Sequence, residues 1–405
     1  MNAERTQARK LVNGYFLVEG LNSFATTLFF YYLYFFTTNV HGFSAVKNLL
    51  LGAGLGLVQG IGSMIGGKFA QRRGYFSALK CGTLTMAIAV GAGVFIDSLA
   101  LQYAVIFFAM LGMTFTWPAL EALVTEGDEP RHLPRNIGIY NLVWAGTGAL
   151  AYFLGGSMIK AWTFRAMFIV PAAIFFFEFL ITLWLERINR TLPRPVHTNS
   201  AHTAVEDEEE TRRSPVPPAT FLKMAWLANP LAYVAINTVF AIVPTLSAKL
   251  KLSVAAAGVV CSLWQFVRAA SFFLLWQWKG WHYRFRWLVS AYLGMAASFA
   301  MMLVAPTLTA LLVAQIFFGL GTGLLYYSSL YYSMHVGEAK GEHGGVHEGM
   351  IGLGCCVGPA ISAASLHLLP ANPNSGAFAV AFVLFGGWGG LMWLRYAKRR
   401  VVTPA

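Results

Sequence analysis

Charge is scarce in this chain of 405 residues. Asp, Glu, Lys and Arg together make up 11% of the sequence, whereas hydrophobic residues make up 57%. Because a soluble globular domain carries about 25% charged residues, this composition excludes an ordinary soluble domain. The apolar surface is instead expected to face a lipid bilayer.

Cysteine is also rare, with four residues in the whole chain. All four lie in apolar stretches, which argues against a disulfide framework or a zinc site built on cysteine. No segment resembles the glycine-rich loop that binds ATP phosphates, so direct use of ATP is not expected. A cleavable signal peptide is not expected either, because the first apolar run exceeds the roughly 7–15 residues of a signal-peptide core.

What the sequence does contain is a series of apolar stretches of membrane-spanning length. A helix needs about 20 mostly apolar residues to cross the hydrocarbon core. The pattern predicts an all-α membrane protein with twelve transmembrane helices in two sets of six, at residues 11–37, 47–69, 78–95, 101–124, 136–161, 164–185, 221–246, 254–278, 287–304, 308–334, 346–368 and 377–396.

Basic residues indicate which side each loop faces. Most of the 29 Lys and Arg residues fall in alternate loops between the spans. Short cytoplasmic loops carry an excess of Lys and Arg, so both termini are predicted to be cytoplasmic, in a plasma (inner) membrane. The net charge of +12 is spread over many loops, so nucleic-acid binding is not expected.

The composition changes between the two sets of spans. Residues 187–220 are rich in Arg, Pro, Thr and Ser and contain the acidic run at 206–210. A segment of such low hydrophobicity cannot bury enough apolar surface to fold alone. We therefore expect a six-helix bundle at residues 1–186, a cytoplasmic linker at 187–220 and a second six-helix bundle at 221–405. Two bundles of this kind are typical of transporters built from internal repeats.

The loop after the second span carries a family signature. It reads Gly66-Gly67-Lys68-Phe69-Ala70-Gln71-Arg72-Arg73-Gly74-Tyr75. This resembles the loop motif of the major facilitator superfamily at Gly67, Arg72 and Gly74, with Gln71 in place of the acidic residue. The resemblance implies two pseudo-symmetric six-helix bundles, transport by alternating access, no enzymatic activity, a monomer and a gating role for this loop. It also implies that spans one, four, seven and ten line the central cavity.

Ionisable residues inside the spans are the first candidates for the transport pathway. Each costs about 2.5–3.5 kcal/mol on insertion scales, which makes it a functional hypothesis. Glu19 in span one and Glu121 in span four could bind and release a proton. Arg268 in span eight requires a partner, which is either a carboxylate such as Glu19 or an anionic group of the substrate. Glu121 also lies close to acidic loop residues, so a merely solvated position is the alternative.

Aromatic and amide residues extend this candidate pathway. Such a mixture suits a small organic solute that is cationic or bears a ring, while a membrane-interface belt is the alternative for some of the aromatics. The substrate and proton pathway is predicted to include Glu19, Glu121, Arg268, Trp117, Tyr140, Asn141, Trp144, Trp264, Gln265 and Tyr327.

A second titratable stretch opens span eleven, where His347 and Glu348 follow Glu342, His343 and a Gly-Gly pair. His343 and His347 are spaced for one helix face, but the glycine pair is not expected to stay helical. We therefore predict an inner gate at His347 and Glu348, with a plain polar loop as the alternative and no metal or other cofactor.

The sequence favours a proton-coupled secondary transporter of a small organic solute. It does not decide between a proton-driven exporter and an uptake symporter. A polytopic membrane enzyme would need a nucleophile with its base or a metal cluster, and only the stretch at His343, His347 and Glu348 offers one. The expected partners are the solute, protons and the lipid bilayer.

Overall fold

A computed structural model describes residues 2–125, 133–192, 216–336 and 340–397, and within these ranges the regular structure is helical throughout. Twelve long helices follow one another: α1 Asn2–His41, α2 Ala45–Arg73, α3 Tyr75–Gly93, α4 Leu99–Thr125, α5 Leu133–Trp162, α6 Ala166–Thr191, α7 Pro218–Lys249, α8 Val254–Cys261 continuing as Leu263–Gln277 after a turn at Ser262, α9 Phe285–Val304, α10 Leu308–Val336, α11 Lys340–Leu368 and α12 Ser375–Tyr396.

Each predicted span has its helix, and the helices extend a few residues beyond the apolar cores. In the described part of the chain, eleven helices are both long enough and apolar enough to cross a membrane. The remaining long helix is α1, whose apolar stretch is interrupted by buried polar side chains such as Glu19, Asn22 and Thr26. Its 40 residues are ample for a crossing.

The start of α11 corrects one sequence-based expectation. The Gly-Gly pair at 344–345 was expected to break the helix, yet α11 runs through it from Lys340. Each glycine costs about 1 kcal/mol in a helix, but extending an existing helix needs no new nucleus, so the long helix that follows can continue back through the pair. The side chain of His343 lies outside the described residues.

The ends of α6 and α7 bracket the segment expected to be a linker. Helix α6 continues to Thr191 and α7 begins at Pro218, with proline in the first turn where its missing N–H costs nothing. The acidic run at 206–210 lies outside the described residues.

Helices of the first six pack directly on helices of the second six along two seams. In the first seam, α2 lies against α11 so closely that a Cβ on Gly56 would stand 2.7 Å from the Cα atom of Cys356. In the second seam, α5 lies against α8, and a Cβ on Gly156 would stand 2.8 Å from the Cα atom of Ala255. Small residues at such points let helix backbones approach without interlocking side chains.

Candidate functional site

A cavity lies between the two seams. About 1020 Å³ of space not occupied by atoms lies in it and in its opening to solvent, and its walls come from α1, α2, α4, α5, α7, α8 and α11. Helices from both sets of six therefore contribute, as expected for a site that changes when the sets move against each other. The predicted residues on its wall are Trp117, Trp144, Gln265, Arg268 and Glu348.

Arg268 is the cation of this cavity. Its side chain is 4% exposed, and its guanidinium carbon lies 4.8 Å from the ring centre of Trp144, 5.1 Å from that of Tyr326, 5.5 Å from that of Phe272 and 5.6 Å from that of Tyr233. Its Nη2 atom donates to the Tyr233 hydroxyl at 3.2 Å. The aromatic faces provide cation–π attraction.

No carboxylate in the described part of the chain lies within 4.0 Å of the Arg268 guanidinium. The pair with Glu19 that the sequence suggested is therefore not formed in this structure. Both carboxylate oxygens of Glu19 are buried without a hydrogen-bond partner. Arg268 is left with aromatic rings, one hydroxyl and the open space of the cavity.

Other hydrogen-bond donors on the cavity wall also have no acceptor. The Nε2 amide of Gln265 and the indole Nε1 of Trp117 are buried and unpaired, as is the Nε atom of Arg268. A buried donor without an acceptor costs about 1–3 kcal/mol, so a cavity with several such donors is suited to an acceptor that is brought in from outside.

A second group of polar side chains lies where α4 meets α11. One ligand-type atom from each of Glu121, His347 and Glu348 falls within 4.8 Å of the others, and all three side chains are buried. The Gln59 amide of α2 donates to Glu348 at 3.4 Å, and His347 lies 3.5 Å from the Ser329 hydroxyl.

Two further buried groups are electrostatic neighbours of these residues. Glu19 of α1 interacts with Glu121 and Glu348, and Tyr140 of α5 interacts with Glu19, Glu121 and Glu348. We name Glu19, Glu121, His347 and Glu348 the acidic cluster. From the sequence, Glu19 and Glu121 were predicted to belong to the proton pathway and His347 and Glu348 to an inner gate; the structure brings all four together across the boundary between the two sets of helices.

The remaining pathway candidates on α5 lie beside the cavity and the acidic cluster. Trp144 lines the cavity, its indole N–H donates to the Asn141 carbonyl oxygen at 3.1 Å, and its ring meets that of Trp117 with a 6.0 Å centroid separation. Asn141 and Tyr140 are buried and do not line the cavity. Asn141 therefore holds the indole of Trp144 in place at the cavity wall through this hydrogen bond.

Two candidates do not line this cavity. Trp264 is 1% exposed and packs behind the wall residue Phe240, between that ring and Phe318. Tyr327 packs against Phe272 and Trp281. Trp264 belongs to α8, which borders the cavity, but its ring is used in helix packing. Tyr327 belongs to α10, and no described residue of α10 lines the cavity, although the resemblance implied that span ten would.

The signature loop is a turn between α2 and α3. Gly67 is buried within α2, Arg72 is exposed in its last turn, and Gly74 links the two helices with φ +92°. A Cβ on Gly74 would meet no atom within 4 Å. The requirement for glycine is therefore conformational, since this combination of φ and ψ is open essentially to glycine alone.

Sequence reasoning missed a polar stripe on α1 and a pair on α7. Ser23, Thr26 and Thr27 line the cavity, as do Tyr233 and Asn237. Their signal was present in the spacing, because polar residues three and four positions apart share a helix face. Hydroxyl groups on an apolar helix were simply less conspicuous than charges.

The chain is similar to known proteins both in sequence pattern and in fold. A family model described as Major Facilitator Superfamily matches residues 15–359, and no curated protein matches the chain in sequence. The crystal structure of the human organic anion transporter MFSD10 (TETRAN) superposes with a TM-score of 0.69 over 96% of this chain and 99% of that one, at 14% sequence identity. At that identity the likeness is evidence for the fold alone.

Proposed function

Because the chain belongs to the major facilitator superfamily, we propose that it moves a small organic solute across the membrane by alternating access and that protons drive this movement. Membership supports secondary transport of a solute. The proton coupling rests on the acidic cluster, in which buried carboxylates from α1, α4 and α11 are electrostatic neighbours.

The acidic cluster is suited to carry protons because its carboxyl groups are buried close to one another. Neighbouring carboxylates in a medium of low dielectric constant cannot all remain ionised. Within the described residues, no Lys or Arg nitrogen lies within 4.0 Å of Glu19 or Glu348. Protons are the simplest charge that such a cluster can take up and release.

The position of the cluster links protonation to conformation. Glu121 belongs to the first six helices and Glu348 to the second six, and their oxygen atoms approach within 4.8 Å. Neutral carboxyl groups tolerate this approach, whereas two carboxylates repel each other. Loss of protons would push the two sets of helices apart at this point, and binding of protons would let them close.

The proposal includes the arrangement of the chain in the membrane. Residues 1–186 and 221–405 would move as two bundles joined by a tether at 187–220, with both termini in the cytoplasm. The glycine seams between α2 and α11 and between α5 and α8 support such movement, because close backbone packing without interlocked side chains permits sliding and tilting.

Flux measurement tests proton coupling and its direction. Solutes that raise the unfolding temperature of the purified protein are taken into proteoliposomes, and their flux is measured with and without an imposed pH gradient. We expect the gradient to drive net flux, and its sign distinguishes symport from antiport. If the pH gradient changes the flux of none of the stabilising solutes, proton coupling is refuted.

A metal cation is the second candidate for the coupling ion, because Glu121, His347 and Glu348 present carboxylate and imidazole ligands close together. The same proteoliposomes are therefore given a gradient of sodium or of a divalent cation at equal pH on both sides. Net flux under that gradient alone would replace the proton by the metal ion.

A further inference from the structure

We infer that the transported solute is a small organic anion with a flat ring, whose anionic group binds the Arg268 guanidinium. This inference rests on the proposed function, since it names the substrate class of the same cavity. It does not depend on which ion drives transport.

The first step is the unmet charge of Arg268. The residue lines the cavity, is 4% exposed and has no carboxylate of the described chain within 4.0 Å. Its Nε atom has no hydrogen-bond partner at all. A guanidinium group offers five N–H donors arranged to match a carboxylate, and here the hydrogen bond to the Tyr233 hydroxyl uses one of them.

The second step is the surplus of donors around it. Gln265 is one helical turn before Arg268 on α8, and its Nε2 amide is unpaired. The indole Nε1 of Trp117 on α4 is unpaired as well, and both residues line the same cavity. Donors from two helices therefore lack acceptors. A carboxylate, which only accepts hydrogen bonds, is complementary to this set, whereas an ammonium group, which only donates, is not.

The third step is the shape of the wall. Tyr31 and Phe240 stack at 3.7 Å between ring centres with planes 26° apart, and Trp117 meets Trp144 at 66°. Such ring faces bind flat apolar groups well. With such rings beside Arg268 on its wall, the cavity suits a ring-bearing carboxylate.

Glu348, the carboxylate that the described residues place on the cavity wall, explains how such an anion could be coupled to protons. Glu348 lines the cavity and also belongs to the acidic cluster. An ionised Glu348 would repel the anion, and a neutral one would not. The anion and the proton would therefore favour each other's binding.

Binding to purified protein tests the inference without any transport. The probes are benzoate, 2-naphthoate and indole-3-acetate, each compared with its carboxamide and with an amine on the same ring. Thermal shift is recorded against probe concentration. We expect the carboxylates to stabilise the protein at concentrations at least tenfold below the amides and amines.

Variants then assign the binding to Arg268. Arg268→Gln should weaken carboxylate binding at least tenfold, and Arg268→Lys should restore part of it. The matched control is Arg395→Gln, because Arg395 is also buried, lies against the rings of Phe285 and Tyr396, and is not on the cavity wall. That control should bind carboxylates like the unmodified protein.

If Arg268→Gln does not fold, the variants Gln265→Leu and Trp117→Phe provide the test, because both retain Arg268. Each removes one unpaired donor and should weaken carboxylate binding two- to tenfold. The inference is overturned if no carboxylate stabilises the protein, if amides or amines do so equally, or if the cavity variants bind carboxylates unchanged. Carboxylate binding that depends on Arg268, found together with flux indifferent to pH, would overturn proton coupling and leave this inference standing.

Discussion

At the scale of single residues, the central question is what each buried charge is for. Glu178 of α6 is fully buried, and one of its oxygens accepts a hydrogen bond from the Asn22 amide at 3.2 Å. Glu19, one turn of α1 away from Asn22, is equally buried and has no such partner. One oxygen of Glu178 has a hydrogen-bond donor, whereas neither oxygen of Glu19 has one, so Glu19 is the better candidate for a proton site.

Glu19→Gln should abolish net flux driven by a pH gradient while substrate binding and exchange persist. The amide mimics the protonated acid permanently, so the site can no longer release a proton. The measurement compares pH-driven uptake with counterflow in proteoliposomes. Glu178→Gln is the control, and it should keep both activities because its environment already supports a hydrogen-bonded polar group. Full pH-driven flux in Glu19→Gln would transfer the coupling role to Glu121 or Glu348.

The sequence identified the charged residues of the site but not their partners. Arg268, Glu19 and Glu121 were found from the cost of placing a charge in the membrane, and Glu348 from the titratable stretch that opens span eleven. Their grouping was not predictable, because it depends on which helices pack together and how each is rotated. The suggested contact between Glu19 and Arg268 is not formed for this reason. Packing against the other helices sets the rotation of α1 and of α8, and so decides where each side chain lies.

At the scale of helices, the loop signature has a conformational cause that can be tested. Gly74 has φ +92° and open space around it. Gly74→Ala should therefore destabilise the protein by about 1–3 kcal/mol through backbone strain alone, and Gly74→Leu should do so by a similar amount while impairing transport. Gly54→Ala on α2 is the control, since Gly54 is helical, exposed and also has no atom within 4 Å.

The measurement is the unfolding temperature together with flux. Equal stability of Gly74→Ala and Gly54→Ala would show that the turn between α2 and α3 accepts another conformation. A Gly74→Leu protein that inserts normally and transports normally would show that the family signature has no mechanical role in this chain.

The seam between α2 and α11 provides a second test at this scale. Gly56→Leu places a side chain against the backbone of α11, where even a Cβ would stand 2.7 Å from the Cys356 Cα atom. We expect a cost above the roughly 1–3 kcal/mol of ordinary overpacking and loss of flux. Gly54→Leu is two positions away on an exposed face and should do neither. The unfolding temperature measures the destabilisation, and a flux assay measures the loss of transport. If Gly56→Leu and Gly54→Leu behave alike, close packing of α2 on α11 at Gly56 is not required.

Helix positions were predictable to within a few residues because hydrophobic length is a direct consequence of the bilayer. The start of α11 was not, because the low helix propensity of the Gly-Gly pair is outweighed by the cooperative extension of the long helix that follows it. Trp264 shows the same limit for side chains. Its position beside Arg268 suggested the pathway, but the turn at Ser262 and the packing on Phe318 bury the ring.

At the scale of the whole molecule, the membrane orientation that the loop charges predict can be tested directly. In a background with the native cysteines replaced by alanine, a cysteine at Ser200 should react with an impermeant maleimide only from the cytoplasmic side, and one at Asn374 only from the opposite side. The reason is the excess of Lys and Arg in the loops on the Ser200 side. Labelling of both positions from one side would rule out the twelve-helix arrangement with internal termini.

The final prediction concerns movement of the two sets of helices with pH. Glu121 of α4 faces His347 and Glu348 of α11 across their boundary, with Glu19, Tyr140 and Tyr326 as the surrounding titratable groups. At low pH the carboxyl groups are neutral and permit contact. At high pH they become charged, and repulsion favours separation. The distance between the sets at this end should therefore increase as the pH rises.

Spin labels at Gln71 and Arg284 measure this distance, because both positions are exposed and each belongs to a different set of helices. We expect the distance distribution to shift to longer values with rising pH in the unmodified protein. The double variant Glu121→Gln, Glu348→Gln should stay at the short distance throughout, since it retains the polar contacts and loses the repulsion. A Glu178→Gln variant should respond to pH like the unmodified protein. If the double variant still opens as the pH rises, repulsion within the acidic cluster is not what moves the two halves.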